Sequence, residues 1–224
     1  MYFDKPIKMP RGSHYGSSYW EVYSRKMGRK ACFFSNLEYH NFLTLEMDPN
    51  VVQLCEQPIE IEIMVDGKNE KSILDIWLKN SDGTEAIQEV KSVESMKEGS
   101  KDYLRTKAQI NKQKLWCEEN GIEYAVRSEK EIYAGEYLVD NCSYMASKVR
   151  RCTLTEGIGA YKQVLIGYLE SCKRADIGML IESGRLPLGS EMDFLCFMHF
   201  EGTIRMDISN RPLDIRTEVA LFGR

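Results

Sequence analysis

Two apolar runs, Ile73-Leu-Asp-Ile-Trp-Leu78 and Ala86-Ile-Gln-Glu-Val-Lys91, flank a polar segment that contains the Asp82-Gly83 step. Runs of this length around such a step predict a β-hairpin. With the turn centred near Asp82, Asp75 and Glu89 are equally far from it and stand opposite each other. Side chains alternate along a strand, so Glu89 and Lys91 share one face while Val90 points into the other layer. The first run, with Ile73, Leu74, Ile76, Trp77 and Leu78, reads as a central strand that is apolar on both faces. Charged residues on a hairpin face ordinarily mark a solvated side. An aspartate inside a doubly apolar strand is different, because burying it costs several kcal/mol unless it is paired or bound to a metal.

The remaining pattern predicts an α/β chain. Pro6, Pro10, Gly12 and Gly16 among serines imply an irregular arm over residues 1–18, and the aromatic, basic stretch from Tyr19 to Phe34 has no clean period beyond a short strand near its end. Ser35-Asn-Leu-Glu38 is a capping box, opening a helix with Leu37, Phe42 and Leu45 that stops at Asp48-Pro49. Ile59, Ile61, Ile63 and Val65 alternate with polar positions as a strand ending at Asp66-Gly67. After Lys91 a helix is expected with Leu104, Ala108, Leu115 and Trp116 on its buried side, closing at Asn120-Gly121. Ile122 to Val126 reads as a strand, and Glu131 to Arg151 as loop and helix. Beyond Cys152 the chain predicts helices over Tyr161–Cys172, Ala175–Glu182 and Glu191–Phe200, then strands over Thr203–Ile208 and Ile215–Val219 split at Pro212. Three helices followed by a β-hairpin outline a winged helix. The expected organisation is an α/β mixed-sheet domain over residues 1–152 and a winged-helix-like domain over 153–224.

Composition narrows the classes. Hydrophobic residues make up 43% and charged residues 29% of the 224 positions, as in a soluble globular protein. No apolar run approaches the roughly 18 residues of a membrane span, and the start Met-Tyr-Phe-Asp-Lys-Pro lacks a signal-peptide core. The seven scattered cysteines, none in C-x-x-C spacing, read as reduced thiols of a cytoplasmic protein. His14, His40 and His199 stand outside zinc-ligand spacing from them, which argues against a zinc site. A net charge of −4 does not advertise a nucleic-acid binder. Basic clusters nevertheless occur at Arg25, Lys26, Arg29 and Lys30, from Lys97 through Lys114, and at Lys148, Arg150 and Arg151. Residues 153–224 hold 8 basic and 10 acidic residues, a balance that suits a protein partner as readily as DNA.

Asp75 followed by Glu89-Val90-Lys91 has the form D…E-x-K of restriction-endonuclease-like nucleases, with Leu74 where many carry proline. Together with the segment from Ser35 to Pro58, it resembles the TnsA family, the endonuclease subunits of heteromeric transposases. The resemblance covers roughly residues 20 to 150. It implies a restriction-endonuclease-like core, Mg²⁺ as cofactor with Mn²⁺ as a substitute, and Glu38, Asp75, Glu89 and Lys91 as the catalytic set. It further implies DNA at transposon ends as substrate, 5′-strand cleavage beside a TnsB-type transposase, and control by a TnsC-type ATPase. The chemistry of the residues agrees. Mg²⁺ takes hard oxygen ligands, and the carboxylates of Asp75 and Glu89 with the carbonyl of Val90 form such a set, while Glu38 either completes a second metal site or holds a water. Lys91 either orients the attacking water, stabilises developing charge or acts as base. Glu38 keeps an alternative structural reading as a helix cap. Two other readings of the chain are a stand-alone restriction or repair endonuclease and a winged-helix adaptor on a decayed nuclease fold; the intact acidic set argues against decay.

Overall fold

Alternation and turn chemistry set the sheet that carries the chain's first half. The computed structural model describes residues 3–7, 18–65, 68–152, 157–172 and 174–223. Contacts divide the chain into Met1–Leu45 with Asn50–Ile132, and Glu46–Pro49 with Tyr133–Arg224.

In the first unit, β1 (Trp20–Ser24) and β2 (Arg29–Phe33) form an antiparallel hairpin turning at Gly28, whose φ of 64° lies in the left-handed region open to glycine. The aromatic stretch thus holds two strands where one was expected. Helix α1 (Asn36–Met47) follows, then β3 (Val51–Glu56), β4 (Glu60–Val65), β5 (Lys68–Ile73), β6 (Ile76–Asn80) and β7 (Glu85–Val90). After them come α2 (Val93–Met96), α3 (Tyr103–Glu119), β8 (Glu123–Arg127) and α4 (Glu129–Ile132).

Four strands form a mixed sheet in the order β3-β6-β7-β8, antiparallel except for the β7–β8 pair. The parallel pair needs a crossover, and α3 lies within it. One face of this sheet buries Cys55, Trp77 and Ile87 against Cys117 and Ile122, with Trp116 and Tyr124 packed alongside. Phe3 meets Trp77 edge-on with ring centroids 5.6 Å apart. The remainder of the expected irregular arm, residues 1–2 and 8–17, lies outside the described residues.

Three expectations need correction. The doubly apolar strand begins at Ile76, and Asp75 occupies a bend just before it. Residues Lys68–Ile73 form β5, which pairs with β4 in a separate two-stranded ribbon. Its sequence, Lys-Asn-Glu-Lys-Ser-Ile, carries almost no apolar signal, so the strand owes its existence to its partner. The third correction concerns α3. Leu104 and Leu115 are 77% and 54% exposed and Ala108 is exposed too, while Trp116 packs on the core as expected; the helix buries Thr106, Gln113 and Cys117. The face turned to the sheet is mixed: Thr106 and Gln113 are buried on it beside Cys117, with Trp116 packed against the core.

The second unit contains α5 (Leu138–Arg151), α6 (Ile158–Cys172), β9 (Arg174–Asp176), α7 (Ile177–Glu182), α8 (Glu191–Phe200), β10 (Ile204–Met206) and β11 (Glu218–Leu221). Strands β10, β11 and β9 make an antiparallel sheet with β11 central. The division by contacts falls one helix earlier than the expected boundary at 152/153. Lys148 of α5 pairs with Asp193 of α8 at 2.8 Å, and buried Asn141 donates to the carbonyls of Ile208 and Arg211 while accepting from Leu213 N–H. Two further details differ from expectation: β9 precedes α7 where a longer helix was expected, and the last strand starts at Glu218. All seven cysteines are free thiols, four of them buried. Among the described residues, no helix is long and apolar enough to cross a membrane.

Candidate active site

The hairpin of β6 and β7 positions the site. Its register runs from Lys79↔Glu85 to Ile76↔Gln88, so one step further places Asp75 opposite Glu89. Asp82 fixes the turn by accepting from Thr84 N–H at 2.9 Å and Thr84 Oγ1 at 2.7 Å, with Gly83 at φ 89°. Side-chain alternation puts Asp75, Trp77, Ile87, Glu89 and Lys91 on one face. That face is apolar through Trp77 and Ile87 and becomes charged at its end.

Asp75 is held at both of its ends. Its carbonyl accepts from Gln57 N–H at 2.8 Å, and its Oδ2 accepts from Val90 N–H at 2.7 Å. Gln57 adopts a φ of 36°, a conformation rare for a side-chain-bearing residue, and in that conformation its amide meets the Asp75 carbonyl. The carboxylate–amide bond ties the start of β6 to the end of β7 and satisfies part of the buried charge that the sequence left unexplained.

Glu89 is fully buried. Its Oε1 accepts from Lys91 Nζ at 2.7 Å and from Gln109 Nε2 at 2.9 Å. Its Oε2 is buried with no hydrogen-bond partner among the described residues. Burial, and then the charge of Asp75, push the Glu89 carboxyl up to about 8 from its ordinary 4.5. Burial pulls the Lys91 ammonium down, but Glu89, Asp75 and Glu38 outweigh it, and the net shift is upward.

Glu38 serves two neighbourhoods. Its Oε2 accepts from Phe34 N–H at 3.1 Å and its Oε1 from Ser35 Oγ at 3.0 Å, while Ser35 Oγ accepts from Glu38 N–H at 3.1 Å. This is a capping box whose glutamate reaches one residue beyond the usual backbone donor. The same carboxyl is raised to about 7, first by burial and next by Asp75, with Lys91 opposing. Glu38 is therefore close enough to Asp75 and Lys91 to feel both charges while it caps α1. One turn on, Asn41 is buried and donates to Gln88 Oε1 at 3.0 Å.

Sequence reasoning missed the contribution of α3. Gln109 and Gln113, four residues apart, lie on one helix face. Gln113 is fully buried, donating to Ser72 Oγ at 3.0 Å and to the Ile73 carbonyl, and accepting from Tyr124 Oη at 2.7 Å. The available signal is two glutamines at helical spacing, which the leucines of the same helix outweigh.

The residues suit a hard divalent cation. All the donors are oxygens, and one carboxylate oxygen of a fully buried side chain lacks a proton donor. Among the described residues, no three His, Cys, Asp or Glu side chains already converge as a ligand group. Glu38 has both oxygens engaged in its cap, so joining a ligand set requires that cap to loosen or to be shared.

Residues 48–129 match the family model of the TnsA-like endonuclease N-terminal domain. The matched stretch carries Asp75, Glu89, Val90, Lys91 and both α3 glutamines, and begins after Glu38. A TnsA-like endonuclease domain points to a nuclease, with DNA as the substrate that such a domain implies. A comparison with curated proteins gives no match.

Proposed function

We propose that the chain is a metal-dependent DNA endonuclease that cuts the 5′ strands at the ends of a transposon, alongside a TnsB-type transposase and under a TnsC-type ATPase. The observation that carries the nuclease reading is the convergence of Asp75, Glu89 and Lys91 at the polar end of one sheet face, with Glu89 Oε2 buried and without a hydrogen bond among the described residues. The match over residues 48–129 supports TnsA-type chemistry in particular.

In this reading Asp75, Glu89 and the Val90 carbonyl would hold Mg²⁺, and Glu38 would join them. Bound there, the ion supplies Lewis acidity at the scissile phosphate and makes a bound water easier to deprotonate. The protein's own groups do the rest. Asp75, anchored through Val90 N–H, keeps the two strands in register so that both carboxylates address the same point. Lys91 lies at the rim, 19% exposed beside a fully buried Glu89, and offers its charge to the phosphate as negative charge develops. Water adds to the phosphorus in line with the leaving oxygen and gives up a proton to solvent; as the bond to the leaving oxygen breaks, that oxygen takes up a proton from solvent, leaving a terminal phosphate and a hydroxyl.

The second unit reads as a winged-helix-like module. Support lies in its order of α6, β9, α7, α8, β10 and β11, with the last strand threaded between the other two. Its acidic balance favours docking on a partner protein over reading bases.

The test is a change of product. If this chain cuts only the 5′ strands, Asp75→Ala leaves the partner transposase able to join the 3′ ends. The element then stays attached to donor DNA and yields cointegrates where the wild type yields simple insertions. Continued simple insertions with Asp75→Ala would place the cut elsewhere and overturn the assignment.

A further inference from the structure

Glu89 makes its hydrogen bonds asymmetrically. Lys91 Nζ and Gln109 Nε2 both donate to Oε1, and among the described residues no hydrogen bond reaches Oε2. A carboxylate gripped by two donors on one oxygen has its plane fixed and its other oxygen committed to whatever enters the site. The two donors differ in what they are free to do. Lys91 sits on a flexible four-carbon stem, and its ammonium is the group that the proposed chemistry needs at the phosphate. Gln109 is an uncharged amide carried on a 17-residue helix. That helix is anchored one turn later by Gln113, which bonds Ser72, Ile73 and Tyr124. When Lys91 turns towards substrate, Gln109 still donates to Oε1, and Gln113, one turn on, lies near enough to favour the Glu89 carboxylate as well.

Resting on the nuclease reading above, we infer that Gln109 is a positioning residue for the cation site, clamping Glu89 Oε1 so that Oε2 stays aimed at the ion throughout the reaction. Partners of this kind orient the groups that ligate a metal, and removing one typically weakens metal binding about 10- to 100-fold. The glutamines on α3 thus have a purpose that apolar residues do not serve: they supply a neutral donor to a buried acid without adding a second positive charge that repels the cation.

The test uses Gln109→Met, which keeps side-chain length and removes the donor, in the full chain with Mg²⁺ alone as the probe. The Mg²⁺ concentration at half-maximal thermal stabilisation, and the heat of Mg²⁺ binding, are compared with wild type. The half-saturating Mg²⁺ concentration is expected to rise about 10-fold or more. In the assembled cleavage reaction, the rate at saturating Mg²⁺ should largely recover while the Mg²⁺ requirement rises. A merely structural role lowers the melting temperature without moving the Mg²⁺ midpoint, and that result overturns the inference. If Gln109→Met does not fold, Gln109→Asn, one methylene too short to reach Glu89, is measured the same way. A wild type that shows no Mg²⁺ response refutes the nuclease reading itself. A wild type that responds, beside a Gln109→Met that responds equally, refutes only the clamp.

Discussion

Glu89→Gln separates the cost of holding the site from the chemistry that it performs. In the metal-free protein the Glu89 carboxyl is raised to about 8 by burial and by Asp75, against an ordinary 4.5. Between these values the folded protein holds a proton that the unfolded chain has released. The stability associated with that proton is fully present below pH 4.5 and is lost as pH rises through 8. Glutamine imitates the protonated acid, accepting from Lys91 and Gln109 through its carbonyl and placing its amide where Oε2 has no donor. Because the comparison is with the protonated form, loss of the Lys91 ion pair is already contained in the shift. A displacement of this size corresponds to roughly 3 to 4 kcal/mol between about pH 5 and pH 8 as an upper bound. Relaxation and the shared charge of Glu38 reduce the expected net gain at about pH 8 to about 2 kcal/mol. For a chain of this length that is a rise of about 5 °C in melting temperature, against little change at about pH 5. Thermal and denaturant unfolding in EDTA at both pH values measure it, and added Mg²⁺ should stabilise wild type but not the variant. A Glu89→Gln protein that is destabilised equally at both pH values refutes the reasoning, because the buried carboxylate would then carry its charge without strain.

Two other sets of substitutions test neighbouring parts of the account. Glu38→Gln retains an acceptor for Phe34 N–H, so it should change stability by no more than about 1 kcal/mol while cleavage is lost; cleavage at the wild-type rate would confine Glu38 to its cap. Lys97, Lys101 and Arg105 are exposed on the segment that leads from the site into α3. Replacing all three with alanine should weaken DNA binding and lower the salt slope of log affinity by about 2 to 3, with the Mg²⁺ midpoint unchanged; a slope equal to that of wild type would place the phosphates on another face.

Much of this site is legible in the sequence. The Asp82-Gly83 turn fixes the hairpin register, and with a side-chain period of two that register alone puts Asp75 opposite Glu89 and Lys91 beside it. The capping box at Ser35 and Glu38 is equally local and forms as expected. What escapes the sequence depends on partners distant along the chain. Strand β5 has polar residues at nearly every position and pairs because β4 lies alongside it. The apolar pattern places Asp75 inside β6, but its bond to Val90 N–H and the unusual backbone of Gln57 draw it into a bend. The buried face of α3 is misread because leucines signal burial more strongly than glutamines do. Where the sheet itself presents a buried carboxylate, a helix meets it with amides, and no periodicity of apolar residues records that.

The most direct measurement of the central claim is strand cleavage at a transposon end, followed on end-labelled DNA in the assembled reaction with wild type and Asp75→Ala, each in Mg²⁺ and in EDTA. The account predicts 5′-strand cleavage by wild type in Mg²⁺, none in EDTA, and none by Asp75→Ala at equal protein and equal assembly. Cleavage that persists in EDTA, or that Asp75→Ala performs at the wild-type rate, would contradict it.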